Sequence, residues 1–190
     1  MNRRTALAFA ACFGVGVAVT TFAATVDTRG FIHRWQLLEP IAVAGRLTES
    51  AVQEALQANP LPSSPAWHAV DTTDYNVNLY HFAHALGKPT SNVLFWVTTT
   101  IDSPREMSRV RLAIGSNAAS RWWLNDVPVI ALNDDRQAVI DDGVSRRLTL
   151  RKGRNVIRAA IINGGGATDF CARFLDENDE PIQDLKVITP

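Results

Sequence analysis

Five tryptophans, four histidines, two Asp-Asp pairs and one glycine triplet carry most of the chemical potential of this 190-residue sequence. A flat indole offers a face on which the apolar C–H groups of a sugar ring can stack, while Asn, Asp or Arg at its edge can bond the hydroxyls. Trp122 and Trp123 cannot both serve in this way, because neighbours on a strand point to opposite faces. If Trp122 joins Leu124 in the interior, Trp123 lies with Arg121 on the other face. There it is either a platform or is covered by the segment 48–65. Trp35, Trp67 and Trp96 sit in or beside apolar runs and read as core.

The remaining candidates point to no reaction. His81 and His84 share a spacing that would bring two imidazoles to one metal, but no third ligand and no cysteine flanks them, so no metal site is assigned. Asp134-Asp135, Asp141-Asp142 and the tail group Asp176, Glu177, Asn178, Asp179 and Glu180 are oxygen-rich. A structural calcium is compatible with them, yet EF-hand spacing is missing and Asp and Asn commonly serve turns. There is no Gly-x-Ser-x-Gly elbow and no Gly-x-Gly-x-x-Gly fingerprint, and no pair of facing carboxylates can be read from spacing. The chain is therefore read as non-catalytic, with no catalytic residue assigned. Cys171 lies in a strand-like run and reads as a buried, inert thiol.

The elements that must position these residues are mostly strands. Turn residues separate short apolar runs at 93–101, 108–114, 120–124, 127–131, 144–150, 155–162 and 169–175, the spacing of a sandwich or barrel. A first strand is expected at 31–38. Thr48 precedes a helical pattern over 49–57, with Leu47 and Val52 placed as a hydrophobic staple around a Thr48 cap. Leu79, Phe82, Ala83 and Leu86 predict one or two further helical turns, closed by Gly87. Residues 164–166 read as a flexible hairpin loop beside a ligand mouth.

Arg3 and Arg4 precede an uncharged run over 6–23, and Thr21 and Ala23 suit a signal peptidase. Residues 1–23 are accordingly expected to be an export signal cleaved after Ala23, leaving one domain over 24–190 in the periplasm or outside the cell. The run is at the lower edge of a bilayer span, and Gly14, Gly16, Thr20 and Thr21 weigh against an anchor. Only if the segment is retained would a membrane be involved. Twin-arginine flanks are missing around Arg3-Arg4, and Cys12 lies too deep in the run for a lipidated N-terminus. Nineteen basic and nineteen acidic side chains balance, a poor footing for nucleic-acid binding.

The stretch 113–129, read Ala-Ile-Gly-Ser-Asn-Ala-Ala-Ser-Arg-Trp-Trp-Leu-Asn-Asp-Val-Pro-Val, resembles the central signature of galactose-binding-like jelly-roll domains, including the sugar-binding domain of family 2 glycoside hydrolases. The segments 148–158 and 163–176 are similar to that family's lysine-glycine turn with its long strand, and to its glycine-rich loop with its last strand. The resemblance covers about 67–178. It implies an all-β fold, a two-sheet antiparallel β-sandwich of jelly-roll type with one or two short helices. It also implies a carbohydrate-binding-like module whose glycan meets loops at one end of the sandwich. Asn117, Asn125, Asn133, Asp135, Arg136 and Asp169 are the expected contacts, with Trp123 beside them. Three departures stand out: Asn117-Ala118 replaces an acidic pair, Asp126 stands where glycine is usual, and Arg154 where an aromatic is common. The alternative is an accessory subunit whose sandwich faces a protein partner in an exported complex.

Overall fold

The structure, a computed structural model, describes residues 24–189; the segment 1–23 read as an export signal lies outside the described residues. The chain opens with β1 (Ala24–Thr25), β2 (Arg34–Leu37) and β3 (Ile41–Ala42), followed by helix α1 (Glu49–Ala58). Strands β4 (His68–Asp71) and β5 (Val77–Asn78) lead to helix α2 (Leu79–Ala85). The longer strands come next: β6 (Val93–Ser103), β7 (Met107–Ser116), β8 (Ala119–Leu124) and β9 (Val127–Leu132). After β10 (Gly143–Val144) and β11 (Leu148–Leu150) come β12 (Gly153–Asn163), β13 (Asp169–Leu175) and β14 (Lys186–Val187).

Two antiparallel sheets result. The first runs β1-β14-β6-β12-β8-β9, with β2 and β3 also on β6 and β4 on β2; the second runs β10-β7-β13-β5, with β11 on β7. This is the all-β sandwich with two short helices that the resemblance implied.

Strand alternation decides what each sheet face buries. On β6, Val93, Phe95, Val97 and Ile101 enter the core between the sheets, while Leu94 and Trp96 belong to a second apolar cluster on the outer face. On β12, Ile157, Ala159 and Ile161 point inward and Ala160 and Ile162 outward. The stretches 93–97 of β6 and 159–162 of β12 therefore read as continuous apolar runs, because both of their faces are covered there. The inner core centres on three aromatics in edge-to-face contact. Trp35 meets Phe170 at 4.9 Å and Trp122 at 6.2 Å, and Trp122 meets Phe170 at 5.6 Å. Both buried indoles are satisfied, Trp35 Nε1 donating to the Ile32 carbonyl at 2.8 Å and Trp122 Nε1 to Ser120 Oγ at 3.0 Å.

Several local expectations are refined. Thr48 is the N-cap of α1 with extended backbone, but its side chain makes no capping bond. The staple partners Leu47 and Val52 do join the outer cluster, so packing positions this helix where capping does not. Residues 77–86 resolve into two strand residues and a helix capped by Asn78 Oδ1, which accepts from His81 N at 2.7 Å. That helix ends as expected: Gly87, at φ +64°, donates to the His84 carbonyl, and Lys88 N donates to that of Ala83. The single strand expected over 144–150 is broken into β10 and β11, where Ser145 Oγ accepts from Leu112 N at 2.9 Å.

Cys171 is buried, as expected, and burial pushes its thiol from 9.0 up to about 11. Alkylation by iodoacetamide at pH 8 is expected to fail on the native protein and to proceed in denaturant, as mass spectrometry would read. The unfolded thiol ionises first as pH rises, so this group lowers stability progressively between about pH 9 and 11.

Candidate functional site

Helix α1 crosses the outer face of the first sheet and leaves a cleft of about 680 Å³ between itself and the β8–β9 hairpin. Alternation on β8 turns Arg121 and Trp123 toward it, opposite to the buried Trp122 and Leu124. Trp96 on β6 supplies the floor. β12 lies between β6 and β8, so the strands of Trp96 and Trp123 stand about 9.5 Å apart, and Trp123 is offset by two further residues from the row Trp96–Ala160–Arg121. Their rings nevertheless meet at 5.8 Å along the diagonal, with room left by Ala160, which pairs with both Trp96 and Arg121 and presents only a methyl group, while Arg158 is the partner of Trp123. Trp96 is 6% exposed and donates its Nε1 to the Asn59 carbonyl at the end of α1, at 3.2 Å. Trp123 is half-buried, and its Nε1 donates to no protein acceptor among the described residues.

The rim is amphipathic. Gln53 and Gln57, one helical turn apart, are exposed on α1, with Leu56, Pro60 and Leu61 beside them. Across the cleft, β9 contributes Pro128 to Ala131, shifted in register against β8 between Trp122 and Trp123. Such a bulge re-aims the side chains next to it. Arg121 closes one side, Nη1 donating to the carbonyls of Leu132 (2.7 Å) and Ser120 (3.0 Å) and Nη2 to Asn133 Oδ1 (2.7 Å). Burial lowers its guanidinium's pKa, and Glu49 at the start of α1 acts in the opposite direction. Among the described residues the lining holds no carboxylate, histidine, serine or cysteine, so it offers contact surface without acid–base or nucleophilic groups.

The expected single mouth does not assemble. Trp123 lies in the cleft, and Asn133 joins it through Arg121. Asn117 instead latches two loops, Nδ2 donating to the Ala167 carbonyl at 2.6 Å and Oδ1 accepting from Asp169 N at 2.9 Å. Asp169 Oδ2 accepts from Asn76 at 3.1 Å. Arg136 is held by Asp142, whereas Asp135 is exposed. Asn125 lies at the opposite end of β8 from Asn117, since the two flank one strand. It donates to Asn155 Oδ1 at 3.0 Å and accepts from Val156 N at 2.9 Å. Asn125→Ala is expected to lower stability by about 1–3 kcal/mol, read as a shifted urea midpoint, because the buried Asn155 loses a donor and the half-buried Val156 N–H its acceptor.

Within the glycine triplet only Gly164 is packed, where a Cβ would sit 2.6 Å from the Gly45 carbonyl oxygen, whereas Gly165 and Gly166 are exposed with open space around them. Asp126, where glycine is usual, adopts φ +67° itself and pairs with Arg158 at 2.8 Å. His81 and His84 are exposed, their rings 6.0 and 6.3 Å from that of Tyr80. No group of three or more His, Cys, Asp or Glu that could hold a metal ion occurs among the described residues. Sequence reasoning passed over Gln53, Gln57 and Arg121 as contacts. The helical repeat 53, 56, 57, 60 and the alternation 121, 123 were the available signals.

No protein-family profile and no curated protein matches this chain. Among solved structures it is similar to an anti-sigma factor domain-containing protein, at 9% identity and a TM-score of 0.50, over 84% of this chain and 46% of that one. It is also similar to a PA14 sugar-binding domain from an RTX adhesin (13% identity, TM-score 0.41, 82% and 74% covered). A β-glucosidase from Kluyveromyces marxianus matches at 18% identity and a TM-score of 0.46 over 76% of this chain, which spans 16% of that enzyme's length. At such identities the likeness is one of fold.

Proposed function

We propose that this domain recognises a glycan without acting on it chemically, the sugar lying in the cleft against Trp123. The carrying observation is the half-buried Trp123 indole, tilted against Trp96 at 5.8 Å and faced by the exposed amides of Gln53 and Gln57. An indole face takes the apolar side of a pyranose, and amides both donate to and accept from its hydroxyls. A cleft of about 680 Å³ falls within the range of small-ligand sites. The lack of carboxylate, histidine, serine and cysteine side chains in its lining among the described residues supports recognition over catalysis. The basic and apolar N-terminal segment supports a role in the periplasm or outside the cell.

The test is a glycan array probed with the purified protein, followed by titration of tryptophan fluorescence with the array's best ligand. Saturable binding to at least one glycan is expected. Retention of none, together with stoichiometric capture of a protein partner from the native host, would replace this role with that of an accessory subunit.

A further inference from the structure

The half-buried arginines of this fold mostly carry their own carboxylate. Arg34 pairs with Asp71 at 2.7 Å, Arg158 with Asp126 at 2.8 Å, Arg147 with Asp179 at 3.0 Å, and Arg173 with Asp141. Arg121 differs. Its acceptors among the described residues are two backbone carbonyls and one amide oxygen, all neutral. Those bonds take both hydrogens of Nη1 and one of Nη2, leaving Nε and the second Nη2 hydrogen without an acceptor there. Glu49 influences it only through space, forming no ion pair with it, and does not line the cleft. Arg46 also has no carboxylate partner but lies outside this lining.

A partly desolvated cation without a counter-ion, set in the wall of an otherwise uncharged cleft, is an unmet demand for negative charge. From this we infer that the glycan recognised in the Trp123 cleft is acidic, a hexuronate whose carboxylate meets the free donors of Arg121. The assignment rests on glycan recognition in that cleft. A carboxylate fits the two remaining donors, since paired N–H groups of one guanidinium bind two oxygens together. The ring would lie on Trp123 with its hydroxyls toward Gln53 and Gln57. Because β8 fixes Arg121 and Trp123 two residues apart on one face, the charged and stacking contacts would sit about 6–7 Å apart along the strand, within the reach of a single sugar.

The experiment compares oligomers of galacturonate, glucuronate and mannuronate with their carboxyl-reduced counterparts, which keep the ring and lose the charge. Binding to the purified protein is measured by calorimetry at low and high salt. At least one uronate is expected to bind about tenfold or more tightly than its reduced form, as befits a charge-assisted bond, and to weaken with salt. Arg121→Gln should erase that preference and Arg121→Lys retain part of it. The reduced-ligand comparison stays decisive if either variant folds poorly. Equal, Trp123-dependent binding of acidic and reduced sugars would overturn the acidic assignment and leave glycan recognition standing. Preference for a sulfated oligosaccharide over every uronate would overturn the carboxylate. Failure of every acidic and neutral glycan to bind would overturn recognition itself.

Discussion

Trp123→Ala should weaken glycan binding about 30-fold or more while leaving the fold in place. Aromatic anchors in concave sites typically contribute about 2 kcal/mol or more on truncation. Trp123 is the half-buried ring of the cleft, and its loss removes the stacking face together with an indole N–H unclaimed by the protein among the described residues. It sits at the margin of the outer cluster, so the β-sheet circular dichroism signal should persist. Trp123→Phe should recover part of the affinity, because a smaller aromatic face remains. Calorimetry with the best array ligand supplies the numbers, and unchanged affinity in Trp123→Ala would remove the cleft as the site.

Its neighbour should behave in the opposite way. Trp122 is 0% exposed between the sheets, in edge-to-face contact with Trp35 and Phe170. Trp122→Ala is expected to lower stability by about 3–5 kcal/mol through lost transfer energy and the cavity left behind. For a domain of this size that is a fall in Tm on the order of 10 °C, measurable by calorimetric or dichroic melting. Ser120 Oγ, wholly buried, also loses the indole that donates to it at 3.0 Å. Two adjacent, chemically identical side chains would thus separate binding from folding. A loss of stability in Trp122→Ala no larger than in Trp123→Ala would contradict the two-sided burial of β8.

The contrast between these tryptophans was legible in the sequence, because alternation on a strand requires no knowledge of the partner strands. So were α1, the Gly87 cap and most of the long strands, each marked by its own residues. The residues expected at a single ligand mouth do not converge, and part of that was legible too. Asn117 and Asn125 flank a six-residue strand, so the loops that hold them must lie at opposite ends of it. The Asn side chains at these turns bond neighbouring loops and strands, as Asn117 does with Ala167 and Asn125 with Val156. Nothing in the type of a turn residue distinguishes such a latch from a ligand contact.

The cleft itself came from long-range packing. Trp96 and Trp123 are 27 positions apart and read as separate apolar or aromatic sites until β12 is inserted between their strands, with Ala160 beside Trp96 and Arg158 beside Trp123. The neutral partners of Arg121 depend equally on the β8–β9 pairing, which brings Leu132 and Asn133 beside it.

Local chemistry in the chain was therefore sufficient to dictate extended segments, their turns and which side chains share a face, since those follow from backbone sterics and a two-residue period. Tertiary structure alone decided which outward face α1 would cover, where a gap would remain and which half-buried arginine among the described residues would be left without a carboxylate. Those outcomes depend on the order in which strands pair and on the register that sets Ala160 between Trp96 and Arg121, neither of which any single segment encodes.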